Sequence, residues 1–307
     1  MKRFAGAFVS FIVYSNLFIA VCALSLTAET FLLFQLPSSL NWYLLLIFLC
    51  TIFVYSLHYF VKSKKNKTDS RLEWCRQNKT LLLFIIIASF IFICGGVTWH
   101  YSSIFGKPGH FNIRNLAWFI IIPVLALGYS YPLTPWNKKS MRQIGWLKMA
   151  SLSFIWAFTT VILPLLMLNA EDSLINWSQA ITLFIHRFIF IAALAFLFNI
   201  NDYEEDKQDE IKTIAVLLGP VKSIRYGKRL MIPLNMLTAI FLLSRFSLQQ
   251  PVFYGAILIP VVLLFDLYQR FSFLKDEAIF AVRHDGLMIV KSMLLIFAIL
   301  IVHHKPV

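Results

Sequence analysis

Ser178-Gln-Ala-Ile-Thr-Leu-Phe-Ile-His186-Arg187-Phe-Ile-Phe-Ile-Ala-Ala-Leu-Ala-Phe-Leu-Phe-Asn199-Ile-Asn-Asp202-Tyr-Glu-Glu-Asp206 is the stretch on which the reading of this chain turns. From 178 to 200 it carries one formal charge, Arg187, and it then switches abruptly to carboxylates. An apolar run of this length matches the ~20 residues a helix needs to cross the hydrocarbon core of a bilayer. Working outward, comparable runs lie at about 2–34, 42–61, 80–98, 115–133, 145–168, 229–244, 251–269 and 286–303. The expected fold is therefore all-α: a polytopic integral membrane protein of about nine transmembrane helices. Gly95-Gly96, Pro123, Pro164, Pro233 and Pro260 interrupt these runs, and neighbouring helices can satisfy the backbone groups they free.

Composition agrees. With 59% apolar and 14% charged residues and a mean hydropathy of +0.73, no sizeable soluble domain fits, and 1–307 reads as a single membrane domain. The excess of 28 Lys and Arg over 15 Asp and Glu is a topology signal. With the amino terminus in the cytoplasm, 23 basic residues fall on that side and four on the other, as the positive-inside rule requires. Attraction to anionic lipid then accounts for the charge, and nucleic-acid binding is not needed to explain it. Cys22, Cys50 and Cys94 lie in apolar runs and Cys75 in a basic loop, a spacing that suits neither a metal site nor a disulfide framework. The first apolar run exceeds a secretory signal and lacks a small-residue cleavage pattern, so the expected location is a prokaryotic inner (plasma) membrane.

Six carboxylates lie between 199 and 210, on a side where other loops carry lysine and arginine. On a continuing helix, Asn199, Asp202, Asp206 and Asp209 share one face. Carboxylates stacked in this way repel and call for a cation. Mg²⁺ suits them, because it takes one or two carboxylates, keeps several waters and bridges to substrate phosphates. The other reading of the same spacing is a solvated helix end balanced by Lys207 and Lys212.

The stretch resembles the second aspartate-rich motif of the UbiA superfamily of intramembrane prenyltransferases. Asp202 and Asp206 stand at its two aspartate positions, Lys212 and Thr213 at its basic and hydroxyl positions, and Gly219 at its closing glycine. Glu210 stands where the family usually has glycine. Gly128-Tyr129-Ser-Tyr-Pro132, followed by Lys138 and Lys139, is similar to a Tyr-Ser-x-Pro element on another loop of the family, and it is also ordinary interfacial chemistry. The first aspartate-rich motif, at the end of the second helix, is degenerate: Tyr55-Ser-Leu-His58-Tyr59-Phe-Val-Lys62 has no carboxylate. Asp69 and Glu73 in the following loop offer a substitute pair. The reading favoured by the residues themselves is a basic amphipathic loop helix whose Arg71, Trp74 and Arg76 rest at the headgroups.

The resemblance implies a UbiA-like helical bundle that transfers an isoprenyl chain from a prenyl diphosphate to a membrane-embedded acceptor with Mg²⁺. It implies Asp202 and Asp206 as the principal metal ligands, Asn199 and Asp209 in support, and Asp69 and Glu73 as stand-ins for the first motif. Lys212, Lys138 and Lys139 would face the diphosphate, and the ring of Tyr129 would face the allylic cation. The alternative is a family member that binds an isoprenoid or lipid with altered or lost catalysis. A secondary transporter fits less well, since the acidic cluster lies at one membrane face and no internal duplication is visible. Elsewhere, Arg187 is either functional or snorkels outward. Asp266 and Arg270 form an i, i+4 pair, and Asp285-Gly286 is expected to open the ninth span.

Overall fold

The computed structural model describes residues 2–63, 70–105, 124–132, 140–167, 175–271 and 277–303. Its regular elements are helical, and the apolar runs map onto them closely. The run 42–61 becomes α3 (Asn41–Lys62), after α1 (Lys2–Tyr14) and α2 (Leu17–Leu33). A loop helix, α4 (Ser70–Gln77), precedes α5 (Lys79–Phe105), and residues 124–130 form α6. The run 145–168 becomes α7 (Gly145–Ala157), a π-turn (Phe158–Ile162) and α8 (Leu163–Leu166). Then come α9 (Trp177–Asn201), α10 (Tyr203–Gln208), α11 (Ile214–Leu218), α12 (Pro220–Arg245), α13 (Pro251–Gln269) and α14 (Glu277–His303).

Among the described residues six helices are long and apolar enough to cross a membrane, and a bent pair would make seven. The chain is thus an all-helical integral membrane protein, with fewer such spans described than the nine expected. Most of the run at 115–133 lies outside the described residues, and α12, which holds the run at 229–244, carries Lys222, Arg225, Lys228 and Arg229 in its first half.

Two local expectations are corrected. The run at 2–34 is not one helix: Phe8–Tyr14 and Leu17–Leu33 meet at 66°. The break falls at Asn16, which adopts left-handed backbone angles (φ 66°, ψ 8°) that asparagine tolerates better than most residues. Its amide Nδ2 donates to Ser56 Oγ at 3.1 Å, and its Oδ1 accepts from Arg71 Nη2 at 2.7 Å. Asp285-Gly286 does not open a helix either, because α14 starts at Glu277. The backbone carbonyl of Asp285 accepts from the Cys22 thiol at 3.4 Å.

The chain divides into two compact units, 1–114 with 274–289, and 115–273 with 290–307. In the first, α3 packs against α2 and α5, and α4 lies against α1, α3 and α5. Arg71 of α4 does not point outward from the loop helix as expected. It is buried, donates to the Val13 carbonyl and stacks its guanidinium 3.6 Å from the centre of the Tyr59 ring. Trp74 packs on the rings of Phe11 and Tyr14.

In the second unit α9 is the axis, with α7 and α12 against it and α13 against α12. Ala192, Ala193 and Ala195 line its buried middle, small residues that let helices approach in the absence of a hydrophobic driving force. The Tyr268 hydroxyl donates to the Ala193 carbonyl at 2.8 Å, and a Cβ on Gly227 would stand 2.4 Å from the Tyr268 ring. Arg187 is fully buried, so it does not snorkel; Nη1 donates to the Thr160 carbonyl at 3.1 Å. That carbonyl belongs to the π-turn just before Pro164, where a proline without an N–H loosens the ladder. Asp266 and Arg270 do pair, at 2.7 Å on the surface, where such pairs contribute little.

Asn16 thus joins α1, α3 and α4. Asn16→Ala should lower stability in detergent by about 1–3 kcal/mol, because it removes two buried hydrogen bonds, to Ser56 and to Arg71. Thermal unfolding checks this; an unchanged midpoint would dissociate the bend from the side chain.

Candidate active site

The end of α9 builds the site. Asn201 is the last residue of the helix and Asp202 a single turn residue, yet Asp206 N–H still donates to the Asp202 carbonyl at 2.8 Å. The chain therefore runs almost unbroken into α10, and Asp202 and Asp206 stand one turn apart. After α10 the direction reverses at Glu210, whose φ is 54°. This is the position at which the motif that the stretch resembles usually has glycine, and the left-handed backbone explains that preference physically. Ile211 N–H then donates back to the Asp206 carbonyl. Thr213 caps α11 through its Oγ1, which accepts from Val216 N–H at 3.3 Å, and Gly219 (φ 78°) leads into Pro220 at the start of α12.

Facing the two carboxylates is Lys148, in the first turns of α7. Its Nζ lies 3.1 Å from Asp202 Oδ2 and 2.8 and 2.9 Å from Asp206 Oδ1 and Oδ2. The lysine and Asp206 side chains are 5% and 3% exposed, whereas Asp202 keeps 27%. Burial pushes the Asp206 carboxyl up from its ordinary value, against the opposing pull of the Lys148 ammonium. Tyr129, on α6, lies within electrostatic reach of Arg142, Lys148, Asp202 and Asp206. Gly145 opens α7 directly on the backbone of the 211–213 loop: a Cβ there would stand 1.9 Å from the Lys212 carbonyl oxygen.

The candidates named from sequence separate into four groups. Asp202 and Asp206 are brought together on one ammonium; Asn199, one turn earlier on α9, is buried, and its carboxamide makes no hydrogen bond among the described residues. Asp209 and Lys212 are exposed on the turn after α10. Glu73 belongs to the first unit and is engaged by Arg76 at 3.0 Å and Gln77 at 3.1 Å. Asp69, Lys138 and Lys139 lie outside the described residues. Lys148 is the residue that sequence reading missed. The available signal was a lysine three residues into an apolar span, since an intramembrane charge implies a partner.

Among the described residues no three of His, Cys, Asp and Glu converge as a metal cage. Two carboxylates with a solvent-facing edge at Asp202 nevertheless fit the way Mg²⁺ is held, by one or two carboxylates with the remaining positions left to water and phosphate. The donors therefore suit a metal that arrives with a phosphate rather than one bound by protein alone.

Taken together, these features define a polytopic helical membrane protein with an acidic site at the end of a span. The profile of the UbiA prenyltransferase family matches residues 76–288, more than half of the chain and including the whole acidic stretch. The chain belongs to the UbiA prenyltransferase family, whose members are generally Mg²⁺-dependent membrane prenyltransferases. Solved structures share the fold. An apo UbiA homologue from Aeropyrum pernix K1 superposes with a TM-score of 0.61 at 11% identity, over 92% of this chain and 98% of that one. A structure described for digeranylgeranylglyceryl phosphate synthase in membranes superposes with a TM-score of 0.53 at 13% identity, over 98% of each chain. No curated protein sequence matches.

Removing one partner from a buried ion pair costs about 3–5 kcal/mol, because the other charge is left stranded. Lys148→Met should show a loss of that order in unfolding experiments, and Asp206→Asn in the same background should return part of it. Strict additivity of the two losses would contradict the pairing. Glu210→Gly should raise stability by about 1 kcal/mol by relieving the left-handed backbone, whereas Glu210→Val should lower it; the same unfolding midpoints report both.

Proposed function

We propose that the protein transfers an isoprenyl chain from a prenyl diphosphate to a membrane-embedded acceptor, with Mg²⁺ as cofactor. The observation that carries this reading is the convergence of Asp202 and Asp206 on Lys148 where α9 ends. A diphosphate is multiply charged and must stay wet, whereas its isoprenoid tail is apolar. A site with carboxylates and cations at the end of an apolar helix suits both ends of such a substrate. In this reading the acidic end of α9 faces the cytoplasm of a prokaryotic inner membrane, the amino terminus lies on the same side, and 1–307 acts as one catalytic domain.

Asp202 and Asp206 would hold Mg²⁺, with Asn199 and Asp209 in support. When bound, Mg²⁺ supplies positive charge against the charge gathering on the diphosphate oxygens. The chain contributes the rest. Lys148, Lys212, Lys138 and Lys139 offer ammonium donors to the diphosphate, which leaves with the electron pair of the broken allylic C–O bond. The acceptor forms the new bond to the allylic carbon and gives up a proton. Tyr129 offers a ring face to the positive charge on that carbon, a contact worth about 0.5–2 kcal/mol. Phe190, Ile191, Leu194 and Leu197 of α9 are buried and help keep water from the tail.

Purified protein incubated with Mg²⁺, a panel of prenyl diphosphates and membrane extract as acceptor source should release pyrophosphate. Asp202→Asn and Asp206→Asn should each lower that release by about 10²–10³-fold while membrane insertion and helix content persist. Wild-type rates in both variants would remove the assignment. Prenyl diphosphate binding without release under any acceptor would instead support the isoprenoid-binding alternative, which the carboxylate-free end of α3 favours.

A further inference from the structure

Half of the charge on the Asp202/Asp206 pair is balanced from within the protein, by one ammonium against two carboxylates. Lys148 Nζ contacts three of the four carboxylate oxygens, and Asp202 Oδ1 is the one without a hydrogen bond among the described residues. An ammonium has three protons, so the three contacts use its whole donor capacity. The lysine head therefore sits where a divalent cation bridging the two carboxylates would sit, and two cations a few ångströms apart repel in a poorly solvated site. Access is one-sided: Asp206 is 3% exposed and Asp202 27%, so a metal approaches past Asp202 and meets the ammonium next. Lysine is a point charge on a flexible four-carbon stem, and its head can leave without any movement of α7.

We propose that Lys148 is a built-in counter-ion that occupies the divalent-cation position between Asp202 and Asp206 and yields it when a diphosphate offers the ammonium replacement oxygens. The proposal rests on the prenyl diphosphate reading above for the identity of the displacing anion. It follows that metal alone binds weakly, and that metal and diphosphate load together, each raising the affinity for the other by the same factor. Lys148 is in this sense a determinant of metal affinity as well as a donor to the substrate.

The test is Mn²⁺ binding to the full-length, detergent-purified protein without any diphosphate, read from the electron paramagnetic resonance of free Mn²⁺. Lys148→Gln should bind Mn²⁺ about tenfold or more tightly than wild type, because the competing charge is gone while both carboxylates remain. Lys148→Arg should show no gain, and Lys148→Gln combined with Asp206→Asn should lose it. Equal or weaker Mn²⁺ binding by folded Lys148→Gln overturns the proposal. Should that variant not fold, the wild-type protein decides through carbodiimide coupling of Lys148 to Asp202 or Asp206, read by peptide mass spectrometry. Coupling is expected without metal and should be suppressed by Mg²⁺ with inorganic diphosphate; its absence in the first condition, or its persistence in the second, overturns the proposal. Prenyl transfer measured on the same wild-type preparation separates the two readings. A Mn²⁺ gain without transfer from any prenyl diphosphate keeps the counter-ion and removes the prenyltransferase, and transfer without a gain does the reverse.

Discussion

A lysine ammonium buried at the end of a membrane span is stable only against negative charge, and this constraint organises the second unit of the protein. Lys148 meets two carboxylates supplied by one turn of backbone at the α9–α10 junction. The surrounding structure works to keep them opposed. Gly145 lets α7 start flush against the 212–213 backbone, and Glu210 accepts a left-handed conformation so that the loop folds back beneath Asp206. Thr213 then caps α11 and sends the chain into α12. The pair is costly to desolvate and costly to break, so its role is better understood as placement than as net stabilisation.

The helices were legible because hydropathy is a property of long windows. The runs at 42–61, 178–200 and 251–269 correspond to α3, α9 and α13 within one residue at each end, since the bilayer demands an uninterrupted apolar length. What hydropathy does not contain is backbone direction. Nothing apolar distinguishes Asn16 from a polar residue tucked inside a straight helix, and the bend there depends on Ser56 and Arg71, forty and fifty-five residues away. Asp285-Gly286 misled for the opposite reason: an acidic residue before glycine has the composition of a helix start, but α14 had already begun eight residues earlier.

The site divides along the same line. Asp202 and Asp206 were legible as a spaced pair because both lie on one short segment. Lys148 was not, because it is fifty-four residues from Asp202 and sits among Lys138, Lys139 and Arg142, where a count of loop charges absorbs it. Arg71 was misplaced in the same way, assigned to the headgroups while its guanidinium is stacked on Tyr59. Near a membrane boundary a basic residue has two equally economical uses, the lipid headgroup or a buried partner. Only tertiary structure chooses between them.

That choice bears on the end of α3, where the family resemblance called for carboxylates. Ser56 and Tyr59 stand in that segment, and both are committed elsewhere: the serine oxygen accepts from Asn16, and the tyrosine ring carries Arg71. These residues hold α1 and α4 in place; they are not vacant positions awaiting a metal. Glu73, the nearest described carboxylate in the loop that follows, is satisfied by Arg76 and Gln77 on its own helix. The first unit has thus turned the segment to structural use. In the proposed reaction the holding of Mg²⁺ then falls mainly to Asp202 and Asp206, and the lysine between them offers its ammonium to the departing diphosphate. A site with fewer carboxylates needs less metal to balance it, and a protein cation already resident there is the economical way to reach that balance.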